Sequence, residues 1–182
     1  SLKSNVEIKT SKDYAWMIRS TDFENNFTND FRYINKDAYD FLTKSKVFGG
    51  EIIMSKIGNA GKVYLMPELK TPCSLAMNLF LIRVKDEIAL TKYVYYFFIS
   101  NNGKKQISSK LNGMATQTIT KDSVKSLKLP LIDLNAQQKI ISKIENFEVI
   151  KNNLLTNYKN KLNLISNLKS SILKKELQSE SA

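Results

Sequence analysis

The rhythm of apolar and polar positions changes near residue 133. Before it, short apolar runs alternate with turn residues. Gly50-Glu51-Ile52-Ile53-Met54-Ser55-Lys56-Ile57 predicts a strand, Gly58-Asn59-Ala60-Gly61 a turn, and Lys62-Val63-Tyr64-Leu65-Met66 the returning strand. A glycine at each end of that turn permits the positive φ a tight reversal needs. Leu79-Phe80-Leu81-Ile82-Arg83-Val84 predicts a third strand, apolar enough for a central place. Leu90 to Ser100 predicts a helix that buries Tyr93, Tyr96, Phe97 and Phe98 and is closed by Asn101-Asn102-Gly103. A short helix from Lys104 to Leu111 then stops at Asn112-Gly113, and an extended piece runs through Val124 to Leu131.

Beyond Pro130 neither proline nor glycine occurs, and a helical rhythm takes over. Ile140, Ile144, Phe147, Ile150, Leu154, Tyr158, Leu162, Ile165, Leu168 and Ile172 form one apolar stripe. Their mean spacing of about 3.6 residues lies between the coiled-coil and straight-helix periods. Asn135 is the predicted cap, with Gln138 three residues on completing a capping box. A helix from about Ala136 to Leu177 would be roughly 60 Å long. Its far half cannot bury the stripe against residues 1–133, and an isolated amphipathic helix gains little from propensity alone. The stripe is therefore the expected interface with a partner helix, from a second copy or another protein. The expected organisation is α+β: a globular domain of short twisted strands and small helices over 1–133, then a single long helix over 134–178 paired as an antiparallel coiled coil. A disordered tail is expected over 179–182.

Charge then narrows the partner. The 182 residues carry 28 Lys and Arg against 17 Asp and Glu, a formal net charge of +11. Such a surplus favours a polyanion, either nucleic acid or an anionic membrane face. The long helix carries Lys139, Lys143, Lys151, Lys159, Lys161, Lys169, Lys174 and Lys175, but its stripe lacks Trp and has Glu145 and Glu148 close by. A narrow seam of that kind suits helix–helix packing rather than a membrane. No apolar stretch reaches the length that crosses a bilayer, and Ser1-Leu2-Lys3-Ser4 opens no signal-peptide pattern, so the expectation is cytoplasmic.

Absent residues exclude chemistry. There is no histidine, which removes Ser-His-Asp triads, imidazole acid–base catalysis and Cys/His zinc sites. Cys73 is the single cysteine and reads as a buried, inert thiol. The carboxylates Asp22, Glu24, Asp30, Asp37 and Asp40 cluster in sequence, yet nothing in their spacing brings them together as a two-metal nuclease site would require. No catalytic residue, metal or cofactor is assigned.

The candidate nucleic-acid contacts follow from charge and hydrogen-bonding capacity. Lys56 and Lys62 flank the hairpin turn, and Lys104, Lys105 and Lys110 lie close together. Lysines at this density can neutralise several phosphates. Readout of base edges needs side chains that donate and accept. Asn59 in the turn and Thr116, Gln117 and Thr118 in the loop after Gly113 supply them. The competing reading is a coiled-coil scaffold whose basic surface serves only solubility.

Four stretches resemble, in order, the specificity subunits of type I restriction-modification systems. Leu129-Pro130-Leu131-Ile132-Asp133-Leu134-Asn135-Ala136-Gln137-Gln138-Lys139-Ile140 resembles the family's proline-containing strand leading into a Glu-Gln-Gln-Lys/Arg-Ile helix start. The segment from Gly50 to Val63 resembles its Gly-Asp-Ile…Ser-x-x-Gly-x-x-Gly-Lys/Arg-Val hairpin. Trp16-Met17-Ile18-Arg19-Ser20-Thr21-Asp22 and the loop from Gly113 to Gln117 are similar to family segments too. Ile132-Asp133 stands where a pair of prolines is commoner, Ala136 replaces a Glu, and Glu51 replaces an Asp.

The resemblance implies a DNA-recognition protein without catalytic activity of its own. A full specificity subunit holds two target-recognition domains apart on two long antiparallel helices, and each domain reads half of a split target. This chain has one such domain and one such helix, so it resembles half a subunit, and two copies are expected to pair. Arg19 joins the candidate DNA contacts through the segment from Trp16 to Asp22. The implied partners are double-stranded DNA, methyltransferase subunits that modify adenine, and restriction subunits that translocate and cleave.

Overall fold

The computed structural model describes residues 6–179, and it divides into two compact units, Ser1–Gln138 and Lys139–Ala182. In chain order the elements are β1 (Ala15–Ile18), α1 (Ser20–Glu24), β2 (Tyr33–Ile34), α2 (Lys36–Phe41), β3 (Lys46–Val47), β4 (Ile52–Ser55), β5 (Val63–Leu65), β6 (Cys73–Leu75), β7 (Leu79–Ile82), α3 (Thr91–Ile99), α4 (Asn101–Ser108), α5 (Lys121–Lys125) and α6 (Leu134–Ser179). The fold is α+β, as the mixed pattern predicts. The expected tail lies outside the described residues from 180 onward.

Two small sheets form the first unit. One runs β2-β1-β6-β3, with β1 and β6 parallel, and the other runs β5-β4-β7, fully antiparallel. The period of two in each strand separates their faces. Ile53 of β4 joins Ile18, Val47, Cys73 and Leu75 in a core between the sheets. Its neighbours Ile52 and Met54 point the other way, into a core with Val94 and Phe98 of α3 and Ile107 of α4. Ala15 and Met17 of β1 likewise turn outward onto Ala38 and Tyr39 of α2. The unit is thus layered as helix, sheet, sheet, helices.

The predicted hairpin is present as β4 and β5, in the register Ile52–Leu65, Ile53–Tyr64, Met54–Val63. Its third strand differs from expectation. Leu79–Ile82 is an edge strand, and β4 is central because it is hydrogen-bonded on both sides and buried along its whole length. Apolarity alone does not distinguish the two, since β7 also packs on both cores, with Leu79 and Leu81 on one and Phe80 and Ile82 on the other.

Three local boundaries also differ. Asn101-Asn102-Gly103 does not close the aromatic helix with a loop: it opens α4, because the Ser100 hydroxyl accepts from the Gly103 N–H at 3.2 Å and caps a new helix at once. Within α3, Tyr93 and Phe98 are buried, whereas Tyr96 and Phe97 are only half-buried. The stretch expected to be extended through Val124 contains α5, started by Thr120, whose hydroxyl accepts from the Ser123 N–H at 3.1 Å.

The start of α6 also shifts, its cap lying two residues earlier. Asp133, not Asn135, accepts the Ala136 N–H at 2.9 Å, and Gln137, not Gln138, is the buried glutamine beside it. The helix runs 46 residues, about 69 Å at the standard rise. Phe147, Ile150, Leu154, Tyr158, Leu162, Ile165, Leu168 and Ile172 are each more than half exposed, Ile140 is exposed and Ile144 is half-buried. Among the described residues no helix is long and apolar enough to cross a membrane.

Candidate functional site

The tip of the β4–β5 hairpin supplies one wall of the site. Gly58 and Gly61 both take positive φ, near +80° and +78°. The Gly61 N–H donates to the Ser55 carbonyl at 2.8 Å and the Lys62 N–H to the Asn59 carbonyl at 3.0 Å, which closes the turn. Gly61 is constrained twice, since a Cβ there would also collide with Ile107 of α4. The bare backbone lets the turn lie directly on that helix.

That approach creates a cleft of about 430 Å³, lined by the turn, by Lys104, Ser108 and Leu111, and by Gln117. Asn59, Lys62, Lys104 and Gln117, all candidates from the sequence, meet here although they span almost 60 positions. Gln117 reaches the cleft because its loop is pinned at the base. Asn112 and Thr118 exchange backbone hydrogen bonds at 2.9 and 2.8 Å, Thr118 bridges to Ile57, and the Ile119 N–H donates to the Lys56 carbonyl at 3.0 Å. Gly113 at φ +93° turns the loop outward, leaving Met114 fully exposed at its tip and Thr116 and Gln117 exposed beside it.

The remaining candidates are placed differently. Lys105 and Lys110 are exposed outside the cleft lining, and Thr118 is half-buried at the loop base. Lys56 directs its ammonium inward: Nζ donates to the Met77 carbonyl at 2.6 Å and sits 4.6 Å from the Phe80 ring centre. Burial lowers its pKa from the ordinary lysine value. Arg19 is also committed within the fold. Its guanidinium donates to buried Asp22 at 2.8 Å and to Asp30 at 3.3 Å, while the Arg19 backbone N–H donates to Asp22 at 2.6 Å.

One residue at the site escapes sequence reasoning. Glu24, the last residue of α1, accepts at a single oxygen, Oε1, from Asn59 Nδ2 at 2.6 Å, Lys62 Nζ at 3.1 Å and the Tyr64 hydroxyl at 3.3 Å. Phe23 stacks on Tyr64 with ring centres 4.5 Å apart and so fixes α1 over the hairpin. The hydrogen bond from Lys62, then that from Asn59, holds the Glu24 carboxyl below its ordinary pKa. The Tyr64 hydroxyl is pushed up to about 12, by burial first and then by the Glu24 charge. A carboxylate 35 or more positions from its partners leaves no spacing signal in the chain.

Two more of the clustered acids are likewise paired with cations. Asp30 pairs with Arg19 and Arg32, and Asp40 with Lys36 and Lys46. Among the described residues no group of three or more Cys, Asp or Glu is arranged to hold a metal ion.

The cleft therefore offers ammonium groups and bifunctional amides beside a glycine-flanked turn, the chemistry of phosphate and base-edge contact. Comparison with known proteins bears on the same point: residues 1–164 match the type I restriction modification DNA specificity domain. The chain belongs to that family. The specificity domain also resembles the type I restriction-modification system S subunit from M. genitalium in fold. That structure aligns with a TM-score of 0.52 and 16% identity, over 85% of this chain and 40% of the other. The HsdS subunit from Thermoanaerobacter tengcongensis aligns with a TM-score of 0.49 and 19% identity, over 83% of this chain and 38% of the other. The chain thus spans about two fifths of the length of these solved subunits. No curated protein matches it. Family membership gives this specificity domain a role in DNA sequence specificity.

Proposed function

We propose that the chain reads one half of a bipartite DNA target and presents it to the modification and restriction subunits of a type I system. The observation that carries this reading is the cleft, where the hairpin turn, α4 and the pinned loop bring Asn59, Lys62, Lys104 and Gln117 together. Lys62 and Lys104 neutralise phosphates, and Asn59 and Gln117 carry the paired donor and acceptor that discriminate bases. Lys105 and Lys110 extend the positive surface, and Thr116 and Thr118 flank Gln117 on its loop. The chain contributes the address, and the chemistry belongs to its partner subunits.

The stripe along α6 supports the second part of the reading. Large side chains from Phe147 to Ile172 lie exposed on a helix that gains little stability from propensity alone. A second copy placed antiparallel covers them with an identical stripe. The resulting two-fold axis makes the recognised sequence an interrupted palindrome.

The test is selection from a random duplex library by the chain co-purified with its modification subunit, paired with mapping of methylated adenine in the source genome. Two inverted half-sites, with selectivity relaxed by Asn59→Ala or Gln117→Ala, are the expected result. Binding without sequence enrichment would overturn the reading and leave the scaffold interpretation.

A further inference from the structure

Three donors from one hairpin converge on one oxygen atom in this molecule. The amide of Asn59, the ammonium of Lys62 and the phenol of Tyr64 all reach Glu24 Oε1, between 2.6 and 3.3 Å. Asn59 lies within the turn, Lys62 directly follows it, and Tyr64 is on the returning strand. The carboxylate is the only part of this arrangement that does not belong to the hairpin. It arrives from α1, held there by the Phe23–Tyr64 stack, and its side chain is 37% exposed at the surface.

A point served by an amide, an ammonium and a hydroxyl is a binding position for an anionic oxygen, and a carboxylate and a phosphodiester compete for such donors on similar terms. Lys104 lines the same cleft and takes part in no ion pair among the described residues. With Glu24 in place, Lys62 is neutralised and Lys104 is the cleft's remaining free charge. With Glu24 displaced, the cleft gains a second cation and the Asn59 amide, and the Tyr64 hydroxyl beside it is freed as a further donor.

We infer that Lys62 and the Tyr64 hydroxyl form a DNA backbone-phosphate site that Glu24 occupies in the free chain, its departure also releasing the Asn59 amide for a base edge. The inference rests on the DNA-reading role proposed above and adds an internal competitor to it. A phosphate entering the site displaces the Glu24 side chain, and the Lys62 ammonium exchanges one anion for another. Glu24 then weakens attachment to any duplex, whatever its sequence, and keeps the chain from lodging on DNA through charge alone.

The experiment measures binding of the full chain to a fluorescein-labelled random-sequence duplex by anisotropy, across a series of salt concentrations. Glu24→Gln retains an acceptor for Asn59 and Tyr64 while releasing Lys62. It is expected to tighten binding about eightfold at 0.1 M salt and to steepen the slope of log affinity against log salt by about one. Glu24→Ala is the second variant, and both are checked for an unchanged thermal unfolding profile. Adding Lys62→Ala to Glu24→Gln is expected to abolish the gain. Binding by the parent chain with no tightening in either Glu24 variant, or a gain that survives Lys62→Ala, would overturn the phosphate site and leave the DNA-reading role standing. No binding by the parent chain or any variant would overturn both.

Discussion

The side chain of Gln137, in the first turn of α6, accepts the backbone N–H of Leu90 at 2.8 Å. Its amide nitrogen donates to the carbonyls of Ile132 and Ile88 at 2.8 and 3.3 Å, and the residue is fully buried. One glutamine thereby satisfies three backbone groups: the N–H at the residue before α3, the carbonyl two residues earlier, and the carbonyl just before α6. The Tyr93 hydroxyl, donating to the Pro130 carbonyl at 2.8 Å, ties the same two segments again.

Gln137→Leu keeps the volume and removes all three bonds, leaving buried polar atoms unmatched. The expected loss is about 3 kcal/mol of unfolding free energy, read as a lower urea midpoint. Asn135→Ala, at the exposed position where sequence pattern places the cap, is expected to change stability by less than about 0.5 kcal/mol.

Arg19 and Asp22 make a second structural pair. Asp22 is buried and takes both the backbone N–H and the guanidinium of Arg19. Arg19→Ala strands that carboxylate and is expected to destabilise the chain by about 3 kcal/mol. In DNA binding at equal folded fraction it should match the parent chain, whereas Lys104→Ala should lower the salt slope by about one.

Cys73 lies in β6 with its thiol pushed up to about 12, by burial first and then by the charge of Glu51. At neutral pH the thiolate fraction is negligible and the sulfur is inaccessible. Ellman's reagent is expected to leave the native chain unmodified and to react with one equivalent on unfolding in urea. Rapid labelling of the folded chain would contradict this placement.

The α6 stripe gives a direct test of pairing. Leu154→Asp with Ile165→Asp places two charges on the exposed apolar seam. Light scattering after size exclusion is expected to move from dimer to monomer, while the near-ultraviolet circular dichroism of the first unit stays unchanged. A parent chain that is monomeric at micromolar concentration would contradict homodimer formation.

Titration reports on the hairpin. A carboxyl whose pKa is lower in the folded chain contributes stability above its unfolded value, and that contribution fades as pH falls through the folded value. Glu24 therefore supports the folded hairpin fully above pH 4.5, its ordinary value, and progressively less below it. Tyr64, raised to about 12, acts at the other end: it favours the folded chain below pH 10 and loses that effect between 10 and 12. Ultraviolet titration should show Tyr64 ionising late, and Glu24→Gln is expected to shift that step downward.

Much of this architecture was legible in order along the chain. The hairpin from Gly50 to Met66 is written as alternation broken by two glycines, and the α6 stripe as ten apolar residues at helical spacing. Both signals are local, because strand and helix periods act between near neighbours. The loss of Pro and Gly after residue 130 marks where the long helix takes over, and the excess of lysine over acid points to a polyanion.

What the chain order could not fix were the meetings between distant residues. Whether Leu79–Ile82 lies at a sheet edge or centre depends on which strands pair, and its wholly apolar sequence does not say. Lysines look alike in sequence, yet Lys56 folds back onto Met77 and Phe80 while Lys104 faces a cleft. Glu24 is an ordinary surface acid until α1 packs across the hairpin and delivers it to Asn59, Lys62 and Tyr64. Hydrogen bonding and charge act over a few ångströms of space, and only tertiary packing decides which residues are that close.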